Sequence, residues 1–294
     1  MNPDAPLVHL NGTFLPRSEA RVSVDDRGFV FGDGVYEVFR SVRGRMYAPD
    51  AHMDRLREGL ATLRIRIPES IADGTLLEVA RRLLSENGHD EGEATVYLQV
   101  TRGSAPRTHH FPDPDIPPTV YLSTSPFEPR HDLQDSGGAC ILHPDRRWAR
   151  AHIKTVNLLP NILAKQAAHD ADTFEAILVR DGMVLEGSST NVFGVMDGVV
   201  RTYPAANYIL RGVTRDRVLA LARDRGVPCL EEGLAVEELA ALDELFLTGT
   251  TTDVLPVLRV DGQVIGEGTP GPITRLLQDA FREDLYGRPD PEAD

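Results

Sequence analysis

Four dipeptides do most to constrain how this chain can fold. Asn11-Gly12, Asp181-Gly182, Asp197-Gly198 and Asp261-Gly262 each separate two β-type runs, and such pairs suit the two-residue type I′ hairpin, whose central residues both need positive φ. Three of them fall in the second half, which predicts an antiparallel or mixed sheet there and argues against a doubly wound parallel one. The first, in VHLNGTFLP, predicts an N-terminal hairpin. Helical spacing breaks up the strands. DAHMDRLREGLATLRI puts Met53, Leu56, Leu60 and Leu63 on one stripe with Asp50 as N-cap, and TLLEVARRLLSEN stops at Gly88. NILAKQAAHDA, VTRDRVLALARDRG, the short VEELAAL and ITRLLQDAFREDLY read as further helices. A Pro-containing connector places a domain boundary near residues 125 to 130. The expected fold is therefore two-domain α/β of the α+β type, with a small N-terminal domain over 1–125, a larger C-terminal domain over 130–294, and a terminal tail GRPDPEAD.

Composition narrows the partners. Acidic residues exceed basic ones, giving a formal net charge of −14, so nucleic acid and anionic membranes, which need a basic face, are poor partners. Cys140 and Cys229 alone make neither a disulfide framework nor a Cys-rich metal site, and a reducing cytoplasm is the simplest compartment. The start, MNPDAPLVHLNG, has no basic region followed by an apolar run, and no window reaches the roughly 18 to 20 apolar residues of a membrane span. The expectation is a protein neither secreted nor anchored.

Arginine is used throughout, yet both lysines, Lys154 and Lys165, stand in one stretch, RAHIKTVNLLPNILAKQAAH. An amine can lose its proton and form a Schiff base, which a guanidinium cannot. Lys165 lies in a run of helix formers and reads as a surface lysine. Lys154 follows the β-type triplet AHI, so it is expected at a strand end, where a side chain can project into a cleft. Downstream, VLEGSSTNVF places Glu186 and three hydroxyl residues, Ser189 among them, at a turn between strands. A nucleophile elbow would need a second glycine and a following helix; Asn191 and a strand stand there instead. A pyridoxal phosphate site fits the same residues better. That cofactor needs a lysine, a carboxylate for its ring nitrogen, and donors for its phosphate, and RGVTRD opens a helix at Gly212-Val213-Thr214 whose free N–H groups can cradle a dianion. TGTTT, with Thr250, offers another such turn.

Three further candidates stay open on spacing alone. Tyr36, on the strand VYEVFRSV, is either a core tyrosine or a site residue, and Arg55, off the helical stripe, is either solvated or functional. Arg107, His109 and His110 sit in SAPRTHHFPDPDIPP, a loop stiffened by its prolines; it presents either a cationic clamp for a carboxylate or a plain exposed surface. Two adjacent histidines are weak support for a metal, and none is expected.

Together DRGFVFGDGVYEV, HMDRL, VTRGSAPRTHHFP, RRWARAHIKTVNLLPNILAKQAAH, FEAIL, EGSSTNVFG, ILRGVTRD and DELFLTGTTTDVLPV resemble, in order and nearly end to end, the fold-type IV (class IV) pyridoxal-phosphate enzymes, most closely their D-amino-acid (D-alanine) aminotransferases. The resemblance implies a barrel-like mixed sheet in the C-terminal domain and pyridoxal 5′-phosphate as cofactor. Lys154 would carry it and shuttle the substrate proton, with Glu186 on the ring nitrogen and Leu210 against the ring. Arg55, Val213, Thr214, Thr250 and Ser189 would meet the cofactor as well, chiefly at its phosphate. Tyr36, Arg107 and His109 would trap the α-carboxylate, the last two from a neighbouring subunit, so a homodimer is implied. The substrates would be D-amino acids and 2-oxo acids. Gly249 departs from the pattern, standing where that branch has a serine. Rival readings are a branched-chain L-amino-acid aminotransferase, an aminodeoxychorismate lyase, and a catalytically silent cofactor-binding protein.

Overall fold

The computed structural model describes residues 6–287; the GRPDPEAD tail lies outside them beyond Gly287. The chain divides into two compact units. One runs to Glu128 and also takes in Ile153–Asn157, and the other comprises Pro129–His152 and the chain from Leu158 onward. A contiguous split near 125 to 130 assigns Lys154 to the second domain, whereas its segment packs with the first unit.

The first unit contains β1 (Leu7–Leu10), β2 (Thr13–Pro16), α1 (Arg27–Phe31), β3 (Gly34–Val42), β4 (Arg45–Met46), α2 (Pro49–Leu63), α3 (Glu69–Ala72), α4 (Thr75–Glu86), β5 (Glu93–Thr101) and β6 (Thr119–Pro126). Its strands form an antiparallel sheet in the order β2-β1-β6-β5-β3-β4. The first hairpin turns on Asn11 at φ 48° and Gly12 at φ 88°, the two left-handed residues that a type I′ turn requires. α2 buries Met53, Leu56 and Leu60 against Phe39, Val96 and Leu98 of the sheet. The helix starts before Asp50, which is therefore not its N-cap. Ala48 caps it and Pro49 opens it, because a fixed φ and a missing N–H suit the first helical position; Asp50 falls in the first turn.

α1 has too few residues for periodicity to announce it. Local hydrogen bonding makes it: Asp26 accepts from the Gly28 amide at 2.8 Å as N-cap, and Gly32, left-handed at φ 68°, ends it. The second Asp26 oxygen accepts from Thr101 at 2.9 Å and Thr119 at 2.6 Å, tying the helix to β5 and β6.

The segment around Lys154 is a turn and bend rather than a strand end. It is too short to build a ladder of its own and docks on β3 instead. The Tyr36 amide donates to the Lys154 carbonyl at 3.0 Å, Val156 donates to the Gly34 carbonyl at 3.1 Å, and Val35 bridges Thr155. Ile153 is buried with the α2 core.

The second unit contains α5 (His131–Ser136), β7 (Gly138–Pro144), α6 (Leu159–Asp170), β8 (Glu175–Arg180), β9 (Met183–Gly187), β10 (Asn191–Met196), β11 (Val199–Thr202), α7 (Val213–Asp224), β12 (Cys229–Leu230), β13 (Leu234–Ala235), a 3-10 turn (Val236–Ala241), β14 (Glu244–Gly249), β15 (Asp253–Val260), β16 (Gln263–Val264) and α8 (Pro272–Tyr286). Strands β10-β14-β15-β7-β8-β9 run side by side, and β9 pairs back onto β10 through Glu186 and Asn191. The sheet thus closes on itself as a barrel, and the closure point is the proposed ring-nitrogen carboxylate. It is mixed, as the hairpin signals predict: β7 is parallel to both β15 and β8, whereas β10 is antiparallel to β14. Asp181-Gly182, Asp197-Gly198 and Asp261-Gly262 all have positive φ at both residues. Ile177, Val192, Leu247, Leu255 and Val257 belong to the core cluster of this unit.

Candidate active site

In the first unit, Lys154 sits on the edge of β3 beside Tyr36. Its Nζ donates to the Tyr36 hydroxyl at 3.3 Å and lies 4.3 Å from the centroid of that ring. Tyr36 stacks on Tyr97 at 5.8 Å, so the phenol facing the amine is held by a second ring. Burial, with Tyr36 and Tyr121 nearby, pushes the Tyr97 hydroxyl up to about 12.

Arg55 is held by a carboxylate that spacing did not single out. Glu37, fully buried on β3, accepts from Arg55 Nε at 2.7 Å and Nη2 at 2.8 Å, a bidentate pair of the kind that fixes a guanidinium in both position and plane. His52 Nδ1 lies 2.8 Å from Glu37 Oε2. Burial would raise the Glu37 carboxyl, but the charge and hydrogen bonds of Arg55, with His52, bring it down to about 2. For His52 burial dominates and lowers its pKa despite Glu37; facing a carboxylate oxygen, Nδ1 takes the donor role. The Arg107–His109 loop belongs to this unit as well, beside α1.

In the second unit, Glu186 is buried at the barrel closure among donors. Asn191 Nδ2 donates to its Oε2 at 3.0 Å, and the Leu210 amide donates to both oxygens at 3.0 and 3.1 Å. Arg147 forms an ion pair with it while its Nε donates to Asp145 Oδ1 at 2.9 Å. Although burial opposes its charge, Glu186 and Asp145 raise the Arg147 pKa. A carboxylate held ionised in this way suits a protonated ring nitrogen. Asn191 also donates to the Leu210 carbonyl at 2.9 Å, and a Cβ on Gly212 would come within 2.1 Å of its Oδ1, so only glycine fits there. Gly212 caps α7 with no side-chain hydrogen bond, which leaves the first-turn N–H groups of Val213 and Thr214 suited to an anion. These features fit a phosphorylated pyridine cofactor.

Ser189 is exposed between buried Ser188 and Thr190. Its hydroxyl donates to Glu175 at 2.9 Å, so that proton does not serve a phosphate. Glu175, itself fully buried, also accepts from Ser188, from Thr190 at 3.3 Å and from the Ala176 amide at 2.9 Å. Lys165 lies 3.4 Å from it. The second lysine is thus the counter-ion of a buried carboxylate rather than a bare surface group. Thr250 lies in the turn between β14 and β15. Beside it, a Cβ on Gly249 would meet Thr252 Oγ1 at 3.3 Å, a close approach.

Periodicity carried no trace of Arg147, Glu37, His52 or Glu175 as site residues, because each acts through a partner distant in sequence. Asn191 could have been marked by its place after the hydroxyl turn.

The amino-transferase class IV family profile matches residues 34–260. The chain belongs to the class IV aminotransferases. The D-alanine aminotransferase of Bacillus licheniformis is 41% identical over 278 residues, covering 95% of this chain and 96% of the relative. Among solved structures, the branched-chain amino acid aminotransferase of Escherichia coli superposes with a TM-score of 0.88 at 25% identity, covering 98% of each chain. The branched-chain aminotransferase of the thermophilic archaeon Thermoproteus uzoniensis, solved with norvaline, gives a TM-score of 0.84 at 28% identity over 96% of this chain and 95% of its own. Class IV aminotransferases are pyridoxal-phosphate-dependent, and this class IV aminotransferase has the mixed-sheet fold of its solved relatives.

Proposed function

We propose that this enzyme is a D-amino-acid transaminase that binds pyridoxal 5′-phosphate and passes an amino group from a D-amino acid to a 2-oxo acid such as 2-oxoglutarate or pyruvate in two half-reactions. The observation that carries this reading is the near full-length identity to a D-alanine aminotransferase, higher than to the branched-chain structures. The Arg107–His109 loop agrees with it.

Bound pyridoxal phosphate supplies the electron sink for the pair released when the substrate Cα–H bond breaks. The chain supplies the rest. Lys154 would hold the cofactor covalently and, as a free amine, would take the substrate Cα proton at Nζ and return it, with the Tyr36 hydroxyl 3.3 Å away orienting the amine. Glu186 keeps the ring nitrogen protonated, and Arg147, Asn191 and the Leu210 amide keep Glu186 charged. Arg55 of the first unit, and Thr214, Thr250 and the Val213 amide of the second, would hold the phosphate, and Leu210 would pack on the ring. Arg107 and His109, with Tyr36, orient the substrate carboxylate.

The working form is a homodimer. Leu159, Ile162 and Leu163 are exposed on one face of α6, and Val24 and Phe29 are exposed near α1; such apolar positions suit a second copy. The compartment is cytoplasmic, in keeping with free Cys140 and Cys229. No described helix is long and apolar enough to cross a membrane.

A second reading, a branched-chain L-transaminase, draws on the structural neighbours. Turnover of D-alanine and of L-leucine with 2-oxoglutarate separates the two, with Lys154→Ala and Lys165→Ala as controls. D-alanine should be the better donor, and visible absorbance and turnover should vanish only in Lys154→Ala. Preference for L-leucine would replace the D-specific reading, and loss of colour only in Lys165→Ala would sink the lysine assignment.

A further inference from the structure

We propose that α1 sets the carboxylate trap: Phe31 and Arg27 are positioning residues for Arg107 and His109. This rests on the reading of those two residues as substrate-carboxylate binders.

The Phe31 ring is a shared platform. The Arg107 guanidinium carbon lies 5.2 Å from its centroid and that of Arg27 4.7 Å, while the His109 ring meets it edge-on at 5.9 Å and 64°. Arg107 and His109 are themselves exposed, so their arrangement needs a support outside the loop. Arg27 provides the second contact. It is buried, and its Nη1 donates at 2.7 Å to the carbonyl of Thr108, the residue between the two trap side chains.

Arg27 is in turn immobilised. Its Nε donates to Asp33 Oδ2 at 2.9 Å. Arg102 holds both Asp33 oxygens, at 2.8 and 3.0 Å, and donates to the Leu63 and Arg64 carbonyls at 2.8 Å. The Arg102 guanidinium also lies 3.9 Å from the centroid of Phe111, so one ion cluster holds the loop at Thr108 and again at Phe111, either side of His109. The backbone adds Arg27 N to the Gly103 carbonyl at 2.9 Å and Ala105 N to the Asp25 carbonyl at 3.2 Å.

The consequence is preorganisation. An aromatic face attracts a cation over it, and a long side chain restrained before substrate arrives loses less freedom on binding. Arg27 is tethered at two atoms, so the mobility left on the platform belongs to Arg107, and the ring limits it.

The test uses holoenzyme variants. Phe31→Leu keeps apolar volume without a ring face. Arg27→Lys keeps a charge for Asp33 but lacks the planar fork that reaches Asp33 and the Thr108 carbonyl together. Steady-state KM and kcat are measured for D-alanine and pyruvate, with visible absorbance and Tm as controls. Each variant should raise both KM values about threefold to tenfold with kcat within about twofold, and Phe31→Leu added to Arg107→Met should raise KM no further. An unchanged KM in Phe31→Leu, where Arg107→Met raises it, overturns the role of α1. An unchanged KM in Arg107→Met overturns the trap reading itself. Should Phe31→Leu lower Tm, Phe31→Tyr must restore KM; failure to do so also overturns the proposal.

Discussion

Replacing Glu37 by Gln gives a prediction whose size follows from the structure. The wild-type carboxylate is fully buried and takes two hydrogen bonds from Arg55 and one from His52. The amide leaves the largely buried Arg55 guanidinium without this charge partner, a loss of about 3–5 kcal/mol for a buried pair broken on one side. Linkage gives a second route to the magnitude. The Glu37 pKa falls from 4.5 to about 2 on folding, so at neutral pH its ionisation contributes about 3 kcal/mol of stability. The sign is that of a depressed carboxyl: the contribution is complete well above 4.5 and drains away as pH falls toward 2. Urea unfolding of wild type and variant from pH 7 to pH 3 should therefore show a stability gap that is widest at neutral pH and narrower by about 2 kcal/mol at pH 3. Taking the difference between the two proteins cancels the titrating groups that do not contact Glu37; His52, which does, is the exception. A gap independent of pH would refute the account of Glu37 as an ionised anchor of Arg55.

Arg147→Met removes an ion partner from both Glu186 and Asp145, of which Asp145 keeps Arg180 at 2.9 Å, and should cost about 3–5 kcal/mol in urea unfolding while weakening retention of cofactor during gel filtration; a loss under about 1 kcal/mol would argue against a charged Glu186. Glu175→Gln places an amide NH₂ among hydroxyls and amides that now donate to the carboxylate and should cost about 2 kcal/mol. Adding Lys165→Met to that variant should cost little more, because the charge that Lys165 balances is already gone; full additivity would deny their coupling.

The legible parts of this protein were those written locally. Asn11-Gly12 and the Asp-Gly pairs state their turns through backbone sterics, and Met53, Leu56 and Leu60 mark their face by spacing. Lys154 stood out because arginine had replaced lysine nearly everywhere else. What escaped was pairwise and distant. Nothing near Arg147 says that it will meet Glu186, and Glu37 alternates on a strand like any buried residue until His52 and Arg55 arrive from α2. α1 escaped because a single Asp26 cap and a left-handed Gly32 make it, leaving no repeat to detect. The Lys154 segment looked like a strand end because AHI is β-type, yet three residues without a neighbour ladder can only dock on an existing strand.

Glu175 gathers hydroxyls and amides around one carboxylate, an arrangement with many spokes and one hub. Removing Ser188, Ser189 or Thr190 singly leaves the other spokes in place, whereas removing Glu175 releases them all at once. Tolerance to mutation across this turn should therefore be lopsided: permissive at the small polar residues that form it, and strict at an acid roughly a dozen residues upstream.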